Sequence, residues 1–442
     1  MSTIIMFIAV IIEIVFAIYC IITKSNQKPI RNWIRIVTFT MFVILSLTPV
    51  IPWSFKWKPL GVVLFVWAIM ASISLIRKKT YKNEYRTLKV VFKSIGILMI
   101  VAIALLPAVM FSQHKLPEQT GEYGVDTVEY TYRDDSRTET FNDKEDKRKV
   151  TVKFWYPEDT EDQYPLVVFS HGAFGTNSDN ESTFIELASN GYIVCSISHP
   201  YHSMFMIDSE GESTTINRTF LKEVIDVNNG VYDEETMYKL THKWLELRID
   251  DTNFVLDTII ENVKNSDSEH VYTLIDISRI GAMGHSLGGA SSAQLGRERN
   301  DIKAVIDLDG GLIGEELDYV DNKYIINYEI YPVPILFITT DTMKQAMVSV
   351  TDPDIVIPQN LILDTAPEAY EVYLEGTNHF SVTDLPLFSP ILVKMIGSSA
   401  NVNVENQQVD EYEILEKTNS IVLEFFNANL KGIGIFKSAG VH

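Results

Sequence analysis

Ser286 stands in Gly284-His285-Ser286-Leu287-Gly288, where two glycines flank a residue with a hydroxyl side chain. A serine hydroxyl is a weak nucleophile. It cuts an ester only where a base takes its proton, an acid orients that base, and donors meet the charge developing on the carbonyl oxygen. On a sharp turn between a strand and a helix, Gly284 and Gly288 relieve crowding and leave the Ser286 hydroxyl in the open. His379, in Gly376-Thr377-Asn378-His379-Phe380-Ser381, is the expected base because it follows the last sheet strand. Two acids satisfy the order Ser, Asp, His: Asp309, in Asp307-Leu308-Asp309-Gly310-Gly311, and Asp341, after the next strand. Position along the chain leaves both open. The expected oxyanion donors are the backbone N–H groups of Leu287 and of Ala173, which follows Ser170-His171-Gly172.

A GxSxG pentapeptide arises by chance about one time in seven in a chain of this length, so its setting decides. Residues 279–284 read as a buried strand and 287–297 as a helix, with Gly289 and Ala290 letting that helix pack close. His171, His199, His202 and His285 lie at earlier strand ends or beside Ser286, and His242 and His270 lie in or just after a long helix. None of these six has the chain position of the base. His199 and His202 could line the pocket mouth, and no third ligand is spaced to make a zinc site with them. No metal and no cofactor is expected.

These residues need a scaffold, and from Gly124 onward short β-rich runs alternate with helical patterns, the mark of a mostly parallel sheet covered by helices. Residues 125–132 and 149–156 read as an opening hairpin joined by a charged, mobile stretch. Buried strands follow at 165–170, 192–198, 279–284, 302–308, 333–339 and 370–374. Helices are expected at 184–190, 234–263, 287–297 and 412–430. In the long one, Leu240, Trp244, Leu247, Val255 and Ile259 recur at helical steps and mark a core face. Residues 201–233 and 342–368 show no clear periodicity and read as long connections, which in compact domains usually serve as lids or are disordered. The fold class is α/β, an α/β-hydrolase fold preceded by a transmembrane region.

Charge divides the chain at about residue 115. Fourteen Lys or Arg against Glu13 and Glu84 give the first part a formal +12, and the rest carries −33 of the total −21. So acidic a domain repels nucleic-acid phosphates, which excludes that partner. Cys20 and Cys195 lie in unrelated segments, and no disulfide between them is expected. Four apolar runs, 3–23, 34–53, 60–76 and 91–111, are each close to the ~20 residues that cross a bilayer. The expected division is therefore 1–113, four transmembrane helices, and 114–442, the hydrolase domain. Lys24, Lys28, Arg31 and Arg35 flank the first connection, and Arg77, Lys78, Lys79, Lys82, Arg86, Lys89 and Lys93 crowd the third, against Lys56 and Lys58 in the second. By the positive-inside rule both termini and the catalytic domain are extracytoplasmic, in a multi-pass protein of the cell membrane. Glu13 falls within the first span without an evident basic partner there.

The soluble part resembles the platelet-activating factor acetylhydrolase family. Val168-Phe169-Ser170-His171-Gly172 followed by Leu187-Ala188-Ser189-Asn190-Gly191-Tyr192-Ile193-Val194, the Gly-His-Ser-x-Gly-Gly elbow, the Leu308-Asp309 turn and His379-Phe380-Ser381 are similar in kind and order. The likeness runs from about Tyr164 to Gly432; the four apolar runs lie outside it, and residues 201–233 depart from the family's pattern. The resemblance implies a calcium-independent serine lipase acting on phospholipids with short or oxidised acyl chains. It also implies that the acid lies 23 residues after the nucleophile, which is Asp309. The expected substrate is a lipid or other small ester, cleaved through an acyl-Ser286 intermediate. An acyltransferase or a carboxylesterase with a non-phospholipid substrate shares every residue named, and a non-catalytic binding domain would keep the fold alone. The sequence is silent on oligomeric state.

Overall fold

The computed structural model describes residues 2–48, 50–51, 53–77, 85–111, 115–142, 144–265, 269–399 and 409–442. They form two compact units, Met1–His114 with Phe388–Ile391, and Lys115–Leu387 with Leu392–His442.

The first unit contains α1 (Ser2–Ile22), α2 (Lys28–Ser46), α3 (Lys58–Ile76) and α4 (Thr87–Met110). Among the described residues, three segments are long and apolar enough to cross a membrane: Ile4–Ile22, Phe55–Ile76 and Thr87–Met110. The second apolar run, of which residues 49 and 52 lie outside the described residues, is not among the three. Its helix starts early enough to include Lys28, Arg31 and Arg35 and stops at Ser46, which leaves too short an uninterrupted apolar stretch. Only 11% of the apolar window in α1 is buried, so Phe7, Ile11 and Val15 face outward. Glu13 does have a basic partner: its Oε1 lies 3.2 Å from Arg31 Nη2 on α2 and accepts the Ser94 hydroxyl of α4 at 2.7 Å. Lys78, Lys79 and Lys82 lie outside the described residues.

In the second unit, β1 (Val125–Thr138) and β2 (Lys147–Pro157) pair antiparallel, and β2 pairs antiparallel with β4 (Ile193–Ser198). All further pairings in this sheet are parallel. They join β3 (Tyr164–Ser170), which precedes α5 (Glu181–Ser189), and β7 (Ile275–His285), which precedes α9 (Leu287–Glu298). Beyond them lie β8 (Ile302–Leu308), β11 (Ile335–Thr340), β12 (Ala369–Leu374) and β13 (Gly440–Val441). The sheet order is β1-β2-β4-β3-β7-β8-β11-β12-β13.

Successive strand residues point to opposite faces, and both faces are apolar, as a sheet covered on both sides requires. Val152, Val168 and Val305 pack beneath Val255, Leu256 and Ile259 of α7 (Glu234–Lys264). Val167, Phe169 and Ile306 pack against Phe184 and Leu187 of α5 and Phe425 and Phe426 of α14 (Glu411–Leu430).

Three stretches are more ordered than their sequences suggest. Residues 201–233 fold into a hairpin of β5 (Phe205–Ile207) and β6 (Ser213–Thr215), then α6 (Arg218–Asn228), whose first turn is capped by the Asn217 side chain. Residues 342–368 hold most of α10 (Asp341–Ser349) and all of α11 (Pro358–Thr365). The charged stretch after residue 132 continues as strand to Thr138, and ion pairs bury its Glu139 and Arg148. A further hairpin, β9 (Glu316–Val320) with β10 (Lys323–Ile326), follows β8.

Candidate active site

β7 ends at His285 and α9 begins at Leu287, so Ser286 alone makes the turn, with φ 56° and ψ −122°. A non-glycine residue at positive φ is strained, and the strain persists only where the surroundings hold it. Here the Ser286 N–H donates to Leu308 O at 2.9 Å, and its carbonyl accepts from Ala290 N at 3.0 Å. The flanking glycines are required by close approach. A Cβ at Gly284 would stand 2.1 Å from Gly288 O, and one at Gly288 1.9 Å from Ser170 O.

Asp309, at φ 54°, is on the turn after β8 and is 1% exposed. Its Oδ1 accepts Thr340 N–H at 2.6 Å, and its Oδ2 accepts the Thr340 hydroxyl at 2.9 Å. Oδ2 also lies 2.7 Å from His379 Nδ1. A carboxylate can only accept, so Nδ1 carries the proton and Nε2 is left as the ring's basic nitrogen. The His379 backbone is held at both ends: its N–H donates to Thr342 Oγ1 at 3.1 Å, and its carbonyl accepts from His285 Nε2 at 2.8 Å. Burial pushes the His285 pKa down to about 3, so that neighbour is neutral and adds no competing charge.

Asp341 does not reach the histidine ring. As the first residue of α10 it accepts the Tyr373 hydroxyl at 2.6 Å and Gly376 N–H at 3.1 Å. Of the two acids that chain order left open, Asp309 is the one that lies against the His379 ring.

Ala173, Ser286, Leu287, Asp309 and His379 line one cavity of about 340 Å³. Its remaining walls are mostly apolar: Phe174, Trp244, Ile313 and Phe380, with Val224 and Val227 from α6 and Met343 and Ala346 from α10. The two stretches without legible periodicity therefore each contribute a helix to the cavity wall. The sequence did carry a signal for α6, since Phe220, Val224 and Val227 recur at helical steps behind the Asn217 cap.

His199 and His202 do not line this cavity. They are buried behind the 171–174 loop with His171, where burial and the Arg248 charge keep all three imidazoles neutral. Arg248 and Asp251 share the buried face of α7 and fall in the gap between the expected core positions Leu247 and Val255. Asp251 accepts two bonds from Arg148, at 2.6 and 2.7 Å, and faces His199 Nδ1 at 3.0 Å. The available signal was one of phase: Arg248 stands four residues after Trp244 and seven before Val255, on their stripe.

Among the described residues, Asp208, Glu210 and Glu212 form the one group able to offer three metal ligands. A cation already serves it: Lys149 Nζ pairs with Glu210 and lies 3.4 Å from Glu212 and 3.8 Å from Asp208.

Asp307, one strand position before Leu308, is buried beneath this turn. Its Oδ1 accepts Gly310 N–H at 2.8 Å, while Oδ2 has no partner among the described residues. Burial raises its pKa to about 8. An acid whose folded pKa exceeds the ~3.9 of the unfolded chain contributes stability below that value, and loses it as pH rises toward 8. Measured against Asp307→Asn, full-length wild type should therefore lose melting temperature progressively between pH 4 and 8, while the buried neutral histidines, which act in the opposite direction below about pH 6.5, cancel from the difference. The difference isolates Asp307 from Asp179 and Asp384, raised by burial to about 6 and about 7. Equal slopes in the two proteins would show that Asp307 is ionised throughout.

The mixed sheet, its helix layers and a serine on a strained strand-to-helix turn define an α/β-hydrolase-type fold. The family model for platelet-activating factor acetylhydrolase, isoform II, matches residues 140–433, and the chain belongs to this family. The platelet-activating factor acetylhydrolase of Gallus gallus is 25% identical over 61% of this chain and 63% of its own length. That of Cavia porcellus is 26% identical over 45% of each. The match to these relatives thus spans from less than half to somewhat under two thirds of their length. A solved ferulic acid esterase from Streptomyces cinnamoneus superposes with a TM-score of 0.50 at 19% identity, covering 71% of this chain and 92% of that one, a likeness of fold.

Proposed function

We propose that the chain is a membrane-anchored serine hydrolase that cleaves carboxylic esters with short acyl chains, glycerophospholipids among them, through an acyl-Ser286 intermediate. The observation that carries this reading is the 2.7 Å pair of His379 Nδ1 and Asp309 Oδ2, in one cavity with the strained Ser286. Ser286 Oγ attacks the ester carbonyl while its proton passes to His379 Nε2, and Asp309 stabilises the imidazolium. The N–H groups of Leu287 and Ala173 receive the oxyanion. Collapse expels the alcohol, which takes the proton from His379, and water then repeats the sequence on the acyl-enzyme.

A cavity of about 340 Å³ is near the lower end of the ~300–1,000 Å³ range of ligand sites, which suits a short acyl group. The names of the family and of its relatives support the same substrate class. The deciding experiment gives full-length protein in detergent a series of glycerophospholipids and simple esters with acyl chains of increasing length, alongside a fluorophosphonate probe. Acetyl to butyryl esters should turn over, with one serine labelled. Absence of both turnover and labelling would refute the hydrolase reading, and product formed only with an added alcohol would make the protein a transferase.

For the anchor, the support is the three apolar helices with outward-facing side chains, which need a lipid surround. Arg77, Arg86, Lys89 and Lys93 flank the connection between α3 and α4. With that connection cytoplasmic, α4 ends outside, whether or not α2 spans. A protease added to intact cells should degrade the chain beyond residue 115, and full protection would reverse the orientation.

A further inference from the structure

We propose that Arg248 is a positioning residue for the oxyanion hole: its guanidinium clamps two successive carbonyls of the 171–174 loop and thereby aims the Ala173 N–H into the cavity. This rests on the esterase reading above.

Arg248 is fully buried, and its Nη1 donates to His171 O at 2.7 Å while its Nη2 donates to Gly172 O at 3.2 Å. In a trans peptide the C=O and the following N–H point in opposite directions. Fixing Gly172 O therefore fixes the Ala173 N–H on the far side, and Gly172 and Ala173 are both cavity residues. Gly172 O is over-determined: Gly175 N–H also reaches it at 3.2 Å, and His171 Nδ1 lies at 2.6 Å. The Ala173 N–H, by contrast, has no hydrogen-bond partner among the described residues, as a donor reserved for substrate requires.

The clamp is itself braced. Arg248 Nη1 lies 3.3 Å from Ser170 Oγ, which faces His199 Nε2 at 3.0 Å, and His199 Nδ1 in turn faces Asp251. Arg248 Nε donates to His202 Nδ1 at 3.3 Å, and His171 Nε2 lies 2.8 Å from Ser203 Oγ. A buried guanidinium is also a full positive charge one peptide unit behind the oxyanion donor, where it polarises that amide toward stronger donation. Lysine cannot substitute, since a single ammonium lacks the rigid fork that meets two carbonyls at once.

The test compares wild type, R248K and R248M as full-length proteins, with kcat expressed per active site titrated by a fluorophosphonate. R248M leaves two buried carbonyls short of a donor and carries the greater risk of misfolding, so R248K decides. Loss of an oxyanion donor costs about 10²–10³ in kcat, and a mis-aimed donor should cost about 10–100-fold per titrated site. KM should stay within about threefold, and phosphonylation should slow in parallel because the probe's phosphoryl oxygen uses the same donors. A lower titratable fraction with unchanged kcat per site would reduce Arg248 to a purely structural role and overturn the proposal. So would a raised KM at unchanged kcat. A wild type that neither turns over esters nor labels would refute the esterase reading itself, and the clamp with it.

Discussion

Ser286→Ala is expected to lower kcat on an acetyl ester by about 10⁶, the scale on which removing the nucleophile of such a triad acts. The variant should fold normally, because the Ser286 bonds that hold the turn come from its backbone N–H and carbonyl, which alanine keeps. It should bind substrate with little change, since the cavity wall is made by other side chains. A small residual rate over water is expected from the oxyanion donors and binding alone. Measured on the short-acyl panel, a variant with wild-type turnover would place the nucleophile elsewhere.

Asp309→Asn should cost about 10⁴ in kcat. The Thr340 N–H fixes one side of the residue-309 side chain as the acceptor side. Asparagine held the same way turns its NH₂ toward His379 Nδ1, which must then accept. The proton moves to Nε2, and the ring no longer has a base facing Ser286. Asp341→Asn is the control: its contacts are with Tyr373 and Gly376, so its rate should stay within about threefold of wild type. A deeper loss at 341 than at 309 would exchange the two assignments.

The sheet and the site were legible in different degrees for physical reasons. Buried parallel strands such as Val167–Val168–Phe169 announce themselves because both faces must be apolar. The turn at Ser286 did so because only glycine fits at 284 and 288. Asp309 and Asp341 were indistinguishable by chain order, and the observation that separates them is spatial: the ring of His379, 70 residues after Asp309, meets only one of them. The β5–β6 hairpin was missed because its strands are only three residues long and few of those residues are buried, and α6 was missed although Phe220, Val224 and Val227 recur at helical steps. The Arg148–Asp251–His199 network was missed because charged residues read as solvent-facing until their partners, 52 to 103 residues apart, are known.

The Ser286 turn follows β7, Asp309 follows β8 and leans on the end of β11, and His379 follows β12. Each pairing that brings them together is parallel and needs a crossover, so none can form as a local hairpin. A one-residue slip of β11 against β8 would turn Thr340 to the wrong face and release the Asp309 carboxylate. The chemistry therefore emerges only once distant segments have docked, late in folding. A hydrolase site assembled this way would be silent while its chain is still being made, and would act only once the whole sheet has closed around it.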